Sequence, residues 1–199
     1  MTNSKNPNSW NIRTSADDIL NFIVYIGCIY GLIDNEKYTG KEALWPSKSL
    51  NTRANSEQWE EWFKEIVTLK AQTIKHGGHP YVVYEEYMPP EFSKVKCTIL
   101  KECCKNAWPK FHEWWSMTAG GKNAIAFVEQ IGHDKIHKYV NEVESKLGRK
   151  LKPFTLNIDL LYTGISEPID INNEFVIAPL SPLINLNKEW WIKKLNEIG

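Results

Sequence analysis

The sequence predicts an α+β fold, mostly helical, with a small antiparallel sheet formed largely by the C-terminal quarter. Three observations lead there. Apolar residues recur at helical spacing through most of the chain as far as Leu147. Beyond Lys152 the pattern changes to runs such as Phe154 to Tyr162, FTLNIDLLY, bounded by turn residues. Helical and strand patterns do not alternate as repeated βαβ units require. At 199 residues, with 42% hydrophobic and 24% charged residues, the chain is long enough for one core and has the balance of a folded soluble protein.

Residues 1–13 read as a flexible polar tail, with Trp10 as the side chain to pin its end, and residues 14–199 as a single α+β domain. Thr14-Ser15-Ala16-Asp17-Asp18 supplies an N-cap and an acidic first turn, opening a helix to about Ile33. That helix is apolar nearly all round, as suits a central core element. Its apolar run, Ile19 to Ile33, falls short of the roughly 20 residues needed to span a bilayer. Asp17 and Asp18 stand where a signal peptide carries positive charge. Spanning and export are therefore excluded, and the expected setting is cytoplasmic. Gly27 and Gly31 lie one turn apart, a spacing that lets another backbone approach.

A polar connection follows from Asp34 to Asn55, then a helix from Asn55 or Ser56 to about Lys75, ended by Gly77-Gly78. Trp59, Trp62, Phe63, Ile66, Val67, Leu69 and Ile74 form its apolar stripe. Tyr81 to Met88 is β-rich and stopped by Pro89-Pro90, which predicts a strand joining the late ones. Phe92, Val95, Ile99, Leu100 and Cys103 predict a helix to about Asn106, and Pro109 opens a second short helix carrying Phe111, Trp114 and Trp115. Asn123 to Ile131 predicts another, broken by Gly132. His133 to Leu147 predicts the next, stopped by Gly148. Strands are expected over Phe154 to Tyr162 and Glu174 to Ala178, joined by a turn-rich acidic linker, before a closing helix from Lys188 to Ile198.

Formal charge is zero, with 24 basic and 24 acidic residues, but arginine occurs only at positions 13, 53 and 149. Base readout and bidentate phosphate binding favour arginine, which counts against sequence-specific nucleic-acid recognition. Lysines concentrate between Lys94 and Lys152, where a basic patch can meet an acidic partner. Cys28, Cys97, Cys103 and Cys104 form no CxxC pair, so reduced thiols are expected.

Three groups of residues are candidates for chemistry. His133 and His137 lie four apart at a helix start, a spacing that offers two ligands to zinc or iron, and His76 and His79 at a helix end can complete the set. A metal there implies a metal-dependent hydrolase with Glu113, Glu129 or Asp134 activating water. Gly120-Gly121-Lys122 before a helix can attract an anion, but Ser116 and Asn123 depart from a Walker loop. Third, Trp108, Phe111, His112, Trp114 and Trp115, with Lys122 nearby, can line a tryptophan-rich pocket for a small ligand or carbohydrate.

The leading expectation is a non-enzymatic protein-binding or regulatory module. It rests on the surplus of tryptophan, nine residues in all, and on the uneven charge. Lysine in place of arginine, with abundant isoleucine and asparagine, points to an A+T-rich genome, a setting that suits an immunity, antitoxin or phage-conflict protein. The expected partner is another protein, with a second copy of this chain as the alternative.

Overall fold

The computed structural model describes residues 10–33, 45, 50–78, 85–180 and 187–199, with the backbone alone over 128–134. It is an α+β structure. Strand β1 (Asn11–Ser15) leads into helix α1 (Asp18–Ile29), followed by α2 (Ser56–Lys75), a 3-10 turn at Glu85–Tyr87, α3 (Thr98–Ser116) and α4 (Gly121–Leu147). The chain then forms β2 (Thr155–Leu161), β3 (Ile169–Asn172), β4 (Phe175–Pro179) and α5 (Lys188–Ile198).

The sheet has the order β1-β2-β4-β3 and is mixed. β1 runs parallel to β2, with Ser15 beside Asp159, and β2 runs parallel to β4, with Asp159 beside Ile177. Only β3 and β4 pair antiparallel. The expected antiparallel sheet is corrected on this point, and the reason is the path of the chain. After β2 it descends as β3 one place further out, turns at Asn173-Glu174, and returns as β4 in the gap, aligned with β2. The central position of β2 explains its sequence: every residue from Leu156 to Leu161 is buried, as a strand covered on both faces requires.

Residues 11–13, assigned to the tail from sequence, are the first part of β1. Residues 85–87, assigned to a strand, form the 3-10 turn, and 81–84 lie outside the described residues. The two short helices expected on either side of Pro109 are one, α3, with Pro109 on its exposed side. Likewise α4 runs unbroken through position 132 for 27 residues, about 40 Å at the helical rise. Gly148, with φ 65°, ends it in the left-handed conformation that glycine adopts without strain.

Helix α1 is the centre of the core. Ten of its twelve residues are buried, and it packs against α2, α3 and β2. Asn21, buried on that helix, ties it to the sheet: its amide donates to Leu160 O (2.9 Å) and accepts from Tyr162 N (2.8 Å). Gly27 faces Trp59 and Ile33 so closely that a Cβ would lie 2.4 to 2.8 Å from their atoms. Trp59 Nε1 donates to Ile23 O at 2.8 Å. Gly31 plays a different part, ending the helix at φ 62° with open space around it. No described helix is long and apolar enough to cross a membrane.

Candidate functional site

The aromatic residues singled out from sequence are brought together on α3, but mostly as core. Phe111 and Trp115 are buried and stack at 5.3 Å, while Trp108 and Trp114 are half-buried. Phe22 of α1 meets Trp108 at 4.9 Å and Phe111 at 5.1 Å, so the face of α3 that carries these rings is the one pressed on α1. Trp114 packs on Tyr162 (4.9 Å) and Trp45 (5.6 Å). His112 is exposed and stacks on Trp108 at 5.3 Å.

Lys122 is tied to a carboxylate. Its Nζ donates to Asp18 Oδ1 at 3.0 Å, and the same oxygen accepts from Trp115 Nε1 at 2.9 Å. Asp18 thus joins the start of α1 to both helices of the α3–α4 corner. Gly121 makes that corner possible, since a Cβ there would lie 2.4 Å from Trp114 and 2.7 Å from Trp115.

Of the candidate metal ligands, the two whose side chains are described have separate neighbours. His76 caps the end of α2, exposed, with Nδ1 2.7 Å from Gln72 O. His137 is exposed on α4 with its ring 4.9 Å from Trp10. His79 lies outside the described residues, as does the side chain of His133. Among the described residues no group of three or more His, Cys, Asp or Glu side chains could hold a metal ion.

A buried group of charges lies elsewhere, inside the protein. Lys70 of α2 is fully buried, with Nζ bonded to Asp17 Oδ2 and 2.5 Å from Asp159 Oδ2. Asp17 is the N-cap of α1; its Oδ1 accepts from Leu20 N at 2.8 Å. Asp159 stands in the middle of β2, and its Oδ1 accepts from the Ser15 hydroxyl at the end of β1. Four residues from four elements therefore meet at the carboxyl end of β1, with one ammonium between two carboxylates. Burial pushes the Asp159 carboxyl above its usual range against the pull of Lys70. Burial also works against the Lys70 ammonium, but the Asp159 and Asp17 carboxylates outweigh it and hold its pKa above the ordinary value.

Sequence reasoning placed none of the four in a site, reading Ser15 and Asp17 only as part of the start of a helix. A signal was present for two. Lys70 sits in register with Phe63, Ile66, Val67 and Ile74 on the apolar stripe of α2, where a lysine has no route to water. Asp159 interrupts the apolar run of FTLNIDLLY.

Two of the thiols are held back from ionising by burial. Burial pushes Cys28 up to about 11 and likewise raises Cys104. A groove between α2 and the start of α3, lined by Glu61, Trp62, Glu65, Lys96 and Cys97, holds about 30 Å³. That is room for a water or two, far below the roughly 300 Å³ of a small-molecule pocket. No family model matches this chain, and no curated protein or solved structure matches it.

Proposed function

We propose that this chain is a non-enzymatic protein-binding module of the cytoplasm, and that it engages its partner through the outward face of α4. The observation that carries the reading is Phe127, an aromatic side chain 68% exposed on a structured helix. Ile125, Ile136, Val140 and Val143 mark the buried side of α4. At about 100° per residue Phe127 points directly away from them, and Lys138 falls within about 20° of the same line. Lys135 and Lys138 are exposed and form no ion pair among the described residues. At the start of the helix Asn123, one turn before Phe127, donates to Met117 O at 3.0 Å, which sets the 52% exposed Met117 beside the same stripe.

An exposed aromatic with exposed lysines further along the same helix suits a partner that presents an apolar pocket rimmed with carboxylates. The buried Lys70 cluster supports the same reading from the other side, since its charges are closed off within the fold.

Native mass spectrometry of the protein enriched from its own host tests the proposal. The expected species carries a second polypeptide, whose mass distinguishes a foreign protein from another copy of the chain, and the Phe127→Ser, Lys138→Glu double variant loses it while keeping its melting temperature. A variant that retains the partner as well as the parent, or a parent that emerges bare, would overturn it.

A further inference from the structure

We propose that Lys70 and Asp159 are joined by an intramolecular amide bond that the folded protein forms by itself, making the Asp17–Lys70–Asp159–Ser15 cluster a self-modification site. The geometry supplies a part for each residue. Lys70 Nζ lies 2.5 Å from Asp159 Oδ2 but off the direction of an ordinary hydrogen bond, which leaves that oxygen without a regular donor. The amine is thus held against the carboxyl group, and such confinement replaces the entropy of bringing two reactants together. The Ser15 hydroxyl donates to Asp159 Oδ1, the oxygen on which negative charge develops when the carbonyl carbon is attacked. Asp17, bonded to Lys70 Nζ, is the proton carrier.

The step balances without a co-reactant. Lys70 passes one proton to the Asp17 carboxylate, and the freed amine attacks Cγ of the protonated Asp159 side chain. A C–N bond forms, and the tetrahedral intermediate then expels the hydroxyl as water. Asp17 protonates that leaving group and takes the surplus proton from Nζ, so the products are an amide, one water and a neutral Asp17. Sealing favours the neutral Asp159 carboxyl on which the attack depends, and works against the charge of Lys70, which its two carboxylates otherwise sustain until a proton passes to Asp17. Lys70 and Asp159 are fully buried and Asp17 nearly so, and in such surroundings a proton held between amine and carboxylate separates less charge than in water. The raised Asp159 pKa works in the same direction, because it keeps the attacked carboxyl protonated further toward neutral pH. The charged groups facing this point are Asp17 from the start of α1 and Lys70 from α2; β1 contributes only the Ser15 hydroxyl and β4 the apolar Ile177.

The bond would tie α2 to the central strand across 89 positions of chain (159 − 70). Its test is the intact mass of the purified full-length protein under denaturing conditions, with peptide mapping. The expected mass is that of the sequence less one water, with tryptic cleavage blocked after Lys70 and the peptides carrying Lys70 and Asp159 recovered joined. Asp17→Asn keeps an N-cap side chain but no proton acceptor, and is expected to show the full mass while folded. A parent protein of full sequence mass that is cleaved after Lys70 would overturn the proposal. So would a missing water without joined peptides, the mark of a cyclised aspartate.

Discussion

Lys70 shows how much one residue can organise. Its ammonium reaches the cap of α1 and the middle of β2, and a buried charge of that kind is held only while its partners remain. Replacing it with alanine removes the cation, together with any bond it forms to Asp159, and leaves the Asp17 and Asp159 carboxyl groups facing each other. The expected loss is about 3 to 5 kcal/mol in urea unfolding, whereas a loss under 1 kcal/mol would show that the cluster is open to water. Cys28 gives a prediction in pH. Its folded-state value of about 11 lies above the usual 9.0, so the stability it contributes is complete below pH 9 and is lost as the pH rises toward 11. By the same shift its thiolate is scarce at pH 8, and iodoacetamide is expected to leave Cys28 and Cys104 unmodified until the protein unfolds, as peptide mapping would show.

At the scale of elements, local rules were legible and long-range ones were not. Asn55 and Gln58 form a reciprocal capping box at the start of α2, and Gly148 closes α4, both as their residue types indicate. β1 escaped because NIRTS is a short edge strand with no continuous apolar pattern, and its pairing partner lies 144 residues away. Pro109 and Gly132 were read as breaks, but each stands in a helix held by neighbours: α3 lies against α1, and α4 is packed by α3 and α5. Tertiary packing outweighs the roughly 1 kcal/mol cost of an interior glycine. Close packing also gives the element-scale prediction. Gly27→Ala gains helix propensity but forces a methyl group into Trp59 and Ile33, and a net loss of about 1 to 3 kcal/mol is expected in urea unfolding. An unchanged or higher midpoint would mean that α1 and α2 can separate at no cost.

For the molecule as a whole, the α+β class was readable because periodicity marks helices wherever they occur, while strand order depends on a chain path that periodicity does not encode. The tryptophan-rich stretch was conspicuous in the sequence for a structural reason, since its rings build the contact between α1 and α3. The proposed function rests instead on the opposite kind of surface, the side of α4 turned away from that core, where Phe127 is exposed and Lys135 and Lys138 follow along the helix. Amide hydrogen exchange of the protein, alone and in extract of its own host, tests that assignment most directly. The expected result is slowed exchange within residues 121–147 in the extract, abolished by Phe127→Ser; protection confined to other elements, or none anywhere, would contradict it.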